Sequence, residues 1–132
     1  MAYSTTATTK GGRDGRAVLD DAKLALAMAL PKDLGGSGEG HNPEQLFALG
    51  WSSCFGQAIL SLAKKHGLDG QDARVTCSVT LNTPDFTLAA ELKVALPGAD
   101  PVKLKALVEE AHQVCPYSKA TRGNVPVTLT IA

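Results

Sequence analysis

A continuous apolar segment near the middle of this 132-residue chain constrains its fold more than any other feature. Its start carries helix signals, because Asn42 is a favoured N-cap, Pro43 suits the first helical position and Gln45 can close a capping box. The helix can continue to about His66, and Gly67 is a natural C-terminal stop. Its first half has almost no polar stripe; the apolar residues are Leu46, Phe47, Leu49, Trp51, Cys54, Phe55, Ile59 and Leu62. A helix that is apolar nearly all round must be covered on more than one side, so we predict a long central helix that a second copy of the chain helps to cover.

Short segments before this helix predict β-structure. Residues 5–9 and 16–19 favour extended conformations, and the glycine-rich residues 11–15 between them favour a turn. In residues 24–30 larger apolar side chains alternate with alanines, which favours a third strand, although this periodicity alone does not exclude a helix. Residues 35–40 form a glycine-rich loop that leads into the helix.

After Gly67 the hydrophobic period changes to two. Residues 74–81 alternate polar and apolar side chains, and residues 82–85 form a turn. Residues 86–96 continue the alternation, with Phe86 as the first residue of the inward face. This pattern predicts an antiparallel hairpin with one face in water. A second helix is expected from Asp100-Pro101 to Cys115, where Pro116 disfavours helical geometry in the residue before it. The last strand should cover the alternating residues 125–131.

Composition narrows the class of protein. Thirteen Lys and Arg balance thirteen Asp and Glu, so a net charge of zero excludes the broad basic surface of a nucleic-acid binder or a polybasic membrane anchor. We find no leader of signal-peptide length and no membrane-span-length apolar run, and so expect a cytoplasmic protein with no membrane and no nucleic acid as partner. The order of elements predicts a single α+β domain over residues 1–132, in which antiparallel sheets accompany the long central helix and a second helix.

Three cysteines are too few, and odd in number, for a disulfide scaffold, so we expect a reducing compartment and thiols with individual roles. Cys77 lies on the apolar face of a predicted strand, where a free cysteine packs as a small hydrophobe. Cys54 lies about three turns into the apolar helix, and from the helix alone a buried, inert thiol is the simplest interpretation. Cys115 ends the second helix, whose negative end disfavours a thiolate and therefore suits a resolving thiol better than an attacking one.

The sequence contains no complete motif for metal binding or for hydrolytic catalysis. His112 and Cys115 are spaced i, i+3 and could form half of a zinc site, but no motif supplies the other half. No histidine is tied to a thiol or a serine by a recognisable catalytic motif. We therefore predict no metal site.

Two longer motifs are specific enough to indicate a protein family. Residues 42–55 include NPEQLFA and SCF, and residues 112–124 read HQVCPYSKATRGN. Together with residues 11–16 and 31–36, they resemble the organic hydroperoxide resistance proteins, the thiol-peroxidase branch of the family that also contains the osmotically inducible peroxidases. The resemblance covers nearly the whole chain. It implies a cytoplasmic, intertwined homodimer with active sites at the subunit interface, no bound cofactor, and dihydrolipoyl groups of a lipoylated protein as reductant.

Carried over by position, the resemblance makes Cys54 the peroxidatic thiol and Cys115 the resolving thiol. Arg13 would stabilise the thiolate and the peroxide, and Glu44 would orient Arg13. Spacing alone does not choose between Arg13 and Arg16, because both lie near the same turn; the family pattern favours Arg13.

Other positions depart from the family pattern or stand outside it. Trp51 replaces a common tyrosine, which could reshape the substrate pocket, and Lys119 replaces a common asparagine, which could alter the surface that docks the reductant. Arg122 is a second candidate by its closeness to Cys115, although we expect a structural role. Cys77 matches no family motif.

The chemistry that the resemblance implies is the reduction of organic hydroperoxides to alcohols in an oxidative stress response. Attack by Cys54 leaves a sulfenic acid, and Cys115 condenses with it to form a disulfide. A nearby guanidinium lowers the pKa of the attacking thiol, and a carboxylate fixes the guanidinium fork. The alternative is a non-enzymatic dimeric module that binds a hydrophobic ligand, for which four such residues would not be needed.

The spacing of Glu44 and Cys54 restricts how they can cooperate. Ten residues on one helix correspond to about 15 Å along its axis, so Glu44 cannot serve the Cys54 of its own helix. If both belong to one active site, the partner subunit must supply Glu44. We therefore predict an obligate dimer with two composite sites.

Overall fold

The computed structural model describes residues 1–21 and 23–132, and it divides the chain into two compact units, Met1–Leu46 and Phe47–Ala132. The first unit contains an antiparallel three-stranded sheet in the order β1-β2-β3. Its strands are β1 (Ala7–Lys10), β2 (Arg16–Leu19) and β3 (Ala25–Ala27). All three predicted strands are confirmed, but the third is shorter than expected.

The chain leaves the third strand early to reach the loop before the long helix. Beyond Ala27, Met28 forms only an isolated parallel bridge with His41, and the Ala29 N–H donates to the His41 carbonyl at 2.9 Å. A short 3₁₀ turn follows at Lys32–Leu34. This pairing fixes the backbone directly before the long helix.

The long apolar helix, α1, runs over Pro43–Leu62 and continues as a 3₁₀ turn to His66. The predicted capping box is present, because the Gln45 N–H donates to Asn42 Oδ1 at 2.9 Å and the Asn42 N–H donates to Gln45 Oε1 at 3.1 Å. Gly67 ends the helix in the left-handed conformation at φ 73°. The sequence signals therefore place the start of α1 and the end of its 3₁₀ extension correctly.

The second unit contains a sheet in the order β4-β5-β6, together with two shorter helices. Its further elements are β4 (Arg74–Asn82), β5 (Thr87–Ala95), α2 (Pro101–Val114), α3 (Pro116–Thr121) and β6 (Val127–Ile131). The α+β class, the hairpin and the second helix are confirmed. Helix α3 was not predicted; it follows α2 directly after Cys115.

Two details of the hairpin sheet correct the prediction. Strand β6 pairs with β5 in parallel, with Leu92 opposite Leu129, so this sheet is mixed and not purely antiparallel. The crossover through α2 and α3 returns the chain in the same direction, as a parallel pair requires. Phe86 was expected on the inner face, but it lies in the turn with φ 57° and is 71% exposed. The strand begins only at Thr87.

The core of the second unit is a single hydrophobic cluster to which α1, β5 and α2 contribute. From α1 the buried residues are Trp51, Phe55, Ala58, Ile59. By length and composition alone, α1 with its 3₁₀ extension could cross a membrane, but a core helix has the same properties. Helix α1 also leaves Leu49 and Leu60 exposed.

Candidate active site

The structure brings two of the three thiols into contact. The Cys115 thiol donates a hydrogen bond to Cys54 Sγ, and the two sulfur atoms are 3.4 Å apart. Both cysteines are free; Cys115 is fully buried, whereas Cys54 is half-buried. A disulfide needs a sulfur–sulfur distance of about 2.05 Å, so a small shift would allow the bond to form.

Local sequence explains why Cys115 lies at this point. Asp100 caps α2 by accepting from the Val102 N–H at 2.8 Å, and the helix ends where the Cys115 N–H donates to the Ala111 carbonyl. The Cys115 backbone is extended, at φ −62° and ψ 125°, as expected for a residue before proline. Pro116 then occupies the first position of α3. The thiol is thus held at a sharp junction between two helices.

The surroundings of Cys54 within its own chain do not favour a thiolate. Burial raises the pKa of Cys54, and the neighbouring Cys115 raises it further. The backbone of Tyr117 acts in the opposite direction and lowers the pKa of Cys54, but it does not reverse the effect of burial. Among the described residues, no cation contributes to lowering this pKa.

Cys77 behaves as the sequence analysis expects of a packing thiol. It lies half-buried on β4, opposite Leu92, and packs against the hydrophobic cluster. Burial raises its pKa to about 11, with a smaller contribution from Cys115. Such a thiol remains protonated at neutral pH and is a poor nucleophile.

Aromatic contacts hold α3 against α1 next to the thiol pair. The indole Nε1 of Trp51 donates to Ser118 Oγ at 3.3 Å, and both residues are fully buried. The Phe47 ring lies 5.5 Å from the Trp51 ring and contacts Tyr117 edge-on at a centroid distance of 6.0 Å. Trp51, one of the departures from the family pattern, therefore reaches a polar partner across the two helices.

Replacing Trp51 tests this contact. Trp51→Phe removes the indole donor, leaves the Ser118 hydroxyl without it, and opens a small cavity. We expect the free energy of unfolding, measured by urea denaturation with circular dichroism, to fall by about 1–3 kcal/mol. In a Ser118→Ala background the same substitution should cost less, because no buried hydroxyl is then left without its donor. Equal costs in the two backgrounds would show that the hydrogen bond contributes nothing.

In the first unit, Arg13 and Glu44 form a two-pronged ion pair. Arg13 Nη1 donates to Glu44 Oε2 at 2.8 Å, and Arg13 Nη2 donates to Glu44 Oε1 at 2.6 Å. The backbone turn that carries Arg13 is tight. A Cβ added to Gly15 would lie only 1.8 Å from the Lys10 carbonyl oxygen, so this position requires glycine. Glu44 lies in the first turn of α1, where the positive helix end favours a carboxylate.

The ion pair distinguishes Arg13 from the other candidate arginines. Arg16 belongs to β2, where its backbone pairs with Ala27. Arg122 donates through Nη2 to the His112 carbonyl in the last turn of α2, which is the structural role expected of it. Arg13 is thus the arginine that a carboxylate orients, as the resemblance implies.

The Arg13–Glu44 pair gives stability a defined pH dependence. Hydrogen bonding to Arg13 holds the pKa of Glu44 below its usual value of about 4.3. A carboxylate with a lowered folded-state pKa stabilises the fold above the unfolded pKa, and the effect is lost as pH falls through the folded pKa. We expect Glu44→Gln to cost about 1 kcal/mol or less at pH 7, since the Arg13 side chain is 38% exposed, and progressively less below pH 4.

Urea denaturation of wild type and Glu44→Gln at pH 7, 5 and 3 measures this difference. In an Arg13→Gln background, the loss of unfolding free energy caused by Glu44→Gln should show little of its pH dependence. A cost for Glu44→Gln that is the same at pH 7 and pH 3 would contradict the assignment.

The predicted site residues therefore form two pairs, each within one unit: Cys54 with Cys115, and Arg13 with Glu44. Glu44 and Cys54 lie on the same helix, as predicted. Sequence reasoning missed Tyr117, whose backbone lowers the pKa of Cys54. The Cys-Pro pair was a usable signal for it, because proline after a helix end can begin a new helix whose first N–H groups are free to donate.

Comparison with known proteins agrees with the fold. The OsmC-like protein family model matches residues 36–130. The organic hydroperoxide resistance protein of Xanthomonas axonopodis pv. citri is 46% identical over 134 residues, covering 98% of this chain and 94% of the relative.

Solved structures extend the likeness over the whole chain. An organic hydroperoxide resistance protein from Legionella pneumophila has a TM-score of 0.93 at 41% identity, covering 100% of this chain and 98% of the other. The organic hydroperoxide resistance protein OhrB of Bacillus subtilis has a TM-score of 0.88 at 37% identity, covering 98% of each chain. The resemblance drawn from the two thiol motifs is confirmed, and the chain belongs to the OsmC family.

Proposed function

We propose that this protein is a cysteine-based peroxidase that reduces organic hydroperoxides to alcohols. The observation that carries the proposal is the contact between two free thiols, Cys54 and Cys115, at 3.4 Å. The relatives with this fold that are named organic hydroperoxide resistance proteins support the substrate class. A module that only binds a hydrophobic ligand has no need of two free thiols in contact.

In the proposed cycle, the partly accessible Cys54 attacks the peroxide and the buried Cys115 resolves the product. The Cys54 thiolate attacks one peroxide oxygen, the O–O bond breaks, and the alkoxide takes a proton and leaves as the alcohol. Cys54 is then a sulfenic acid, and the Cys115 sulfur attacks it to form a disulfide while water leaves. A dithiol reductant exchanges twice with this disulfide, restores both thiols and is itself oxidised to a disulfide.

The Arg13 guanidinium, oriented by Glu44, would supply the positive charge that Cys54 lacks in its own chain. Glu44 precedes Cys54 by ten residues on α1, or about 15 Å along the axis. Since Arg13 binds the Glu44 of its own chain, the two would act together on Cys54 of the partner subunit. The guanidinium would stabilise the thiolate and the developing alkoxide. The active unit would then be an obligate, intertwined homodimer with two composite sites.

We assign the reductant to the dihydrolipoyl class and the protein to the cytoplasm. A small dithiol suits a half-buried Cys54, and reduced thiols are maintained in that compartment. Phe47, Trp51 and Tyr117 pack together on the two helices next to the thiol pair, and apolar surroundings of this kind would favour bulky organic peroxides over hydrogen peroxide. Lys119, exposed on α3, would lie on the surface that docks the lipoylated partner.

The test is consumption of cumene hydroperoxide by the purified protein, with dihydrolipoamide or glutathione as reductant. We expect turnover with dihydrolipoamide, much slower turnover with glutathione, and a lower rate constant for hydrogen peroxide than for cumene hydroperoxide. No peroxide consumption by wild type with any dithiol would overturn the proposed activity. Equal rates with the two reductants would overturn only the assignment of a dithiol.

A further inference from the structure

Gly50 lies one turn before Cys54 on α1, and its missing side chain leaves a notch in the helix surface. A Cβ built on Gly50 would lie 2.7 Å from Tyr117 Oη and 3.0 Å from both Tyr117 Cε2 and Cζ. Real Cβ atoms do not approach other atoms this closely, so the tyrosine ring rests directly on the helix backbone. Glycine within a helix is less favourable than alanine by up to about 1 kcal/mol. Position 50 therefore gives up some helix stability, and the absent Cβ leaves room for the tyrosine ring.

The ring in this notch belongs to the same turn as the resolving thiol. Tyr117 follows Cys115 by two residues and lies in the first turn of α3. The next residue, Ser118, is held by the Trp51 indole. Positions three and four apart on a helix share a face, so the contacts with α3 and the sulfur of Cys54 occupy one face of α1. Two contacts on that face, the ring in the notch and the indole hydrogen bond, thus hold the Cys115–Ser118 turn.

We propose that Gly50 is a positioning residue for the thiol pair: by seating the Tyr117 ring on α1, it fixes the turn that holds Cys115 Sγ next to Cys54 Sγ. This inference rests on the proposed peroxidase cycle for its functional meaning. Its test, however, measures formation of the Cys54–Cys115 disulfide and not peroxide consumption. Because the notch fixes the position of Cys115 Sγ relative to Cys54 Sγ, it sets the effective concentration of one thiol toward the other. Misplacement of reacting groups by about 1 Å can lower such a quantity by up to about a hundredfold.

Gly50→Ala tests the proposal, measured in a Cys77→Ser background so that Cys54 and Cys115 are the remaining thiols. The variants are equilibrated in reduced and oxidised dithiothreitol mixtures, and the disulfide fraction is read by mass spectrometry after alkylation. We expect the equilibrium constant for the Cys54–Cys115 disulfide to fall about tenfold, because the added methyl group displaces the ring. Gly56→Ala is the matched control, since its Cβ would meet only Val75 Cγ2 at 4.0 Å; its equilibrium constant should not change.

Tyr117→Ala completes a double-mutant cycle with Gly50→Ala, and it also tests the proposal if Gly50→Ala does not fold. Removal of the partly exposed ring should itself lower the equilibrium constant about tenfold, and Gly50→Ala should then add nothing. The proposal is overturned if Gly50→Ala keeps the wild-type equilibrium, or if its effect is the same with and without the tyrosine ring. It is equally overturned if Tyr117→Ala retains the wild-type equilibrium. No peroxide is used, so the result stands even if wild type consumes none.

Discussion

Cys54→Ser should reduce the steady-state rate of cumene hydroperoxide consumption by about three orders of magnitude or more. In the proposed cycle Cys54 supplies the sulfur that accepts the peroxide oxygen, and serine offers no comparable nucleophile or two-electron reductant. The fold should survive, because the half-buried thiol and a hydroxyl differ little in size. The measurement is loss of peroxide with dihydrolipoamide as reductant, alongside circular dichroism to show that the variant is folded.

The other two cysteines supply matched comparisons for this result. Cys115→Ser should still release one alcohol per chain in the first turnover and then stop or slow, with Cys54 trapped as a sulfenic acid that dimedone labels. Cys77→Ser should retain the wild-type rate, because Cys77 only packs against the core. Wild-type turnover by Cys54→Ser would eliminate the mechanism, and loss of activity in Cys77→Ser would give the third thiol a role that we do not assign to it.

Mixed dimers should show which chain supplies Glu44. Glu44→Gln alone should lower kcat/KM by about a hundredfold, because the Arg13 guanidinium loses the carboxylate that fixes it. Cys54→Ser alone should be inactive, as argued above. A hybrid dimer with one chain of each kind contains one site with both wild-type residues if Glu44 acts on Cys54 of the partner subunit. We therefore expect the purified hybrid to recover about half of the wild-type activity per dimer.

Two affinity tags on the separate chains allow the hybrid to be isolated after co-expression. If Glu44 served its own chain, every site in the hybrid would carry one substitution and activity would not return. Glu109→Gln, which changes an exposed carboxylate on α2, replaces Glu44→Gln in a control hybrid and should also give half of the wild-type rate. Light scattering that found a fully active monomer would contradict the composite site altogether.

The elements that the sequence predicted well are those with local causes. The capping box of Asn42 and Gln45 and the stop at Gly67 depend on neighbouring residues, so the bounds of α1 could be predicted directly. The alternation along β4 has the same local character. The thiol motifs indicated Cys54 and Cys115 by resemblance, and the structure places their sulfur atoms in contact.

The elements that were missed depend on contacts between distant segments. The parallel pairing of β6 with β5 follows from the path of the whole α2–α3 crossover, which no local pattern encodes. Phe86 matched the alternation of the strand, but the turn takes a left-handed conformation there and leaves the ring exposed. The contact of Gly50 with Tyr117 joins positions 67 residues apart, and a single glycine in an apolar helix gives no sign of its partner.

The unequal burial of the two contacting thiols has a consequence for how the oxidised protein would be reduced. Cys115 has no exposed surface, whereas Cys54 is partly accessible. In the proposed cycle an incoming dithiol therefore meets only one sulfur of the Cys54–Cys115 bridge, forms its mixed disulfide with Cys54, and expels Cys115 as the leaving group. The junction between α2 and α3 thus makes regeneration regioselective: the sulfur that meets the oxidant is also the sulfur that meets the reductant, and its partner stays inside the protein throughout.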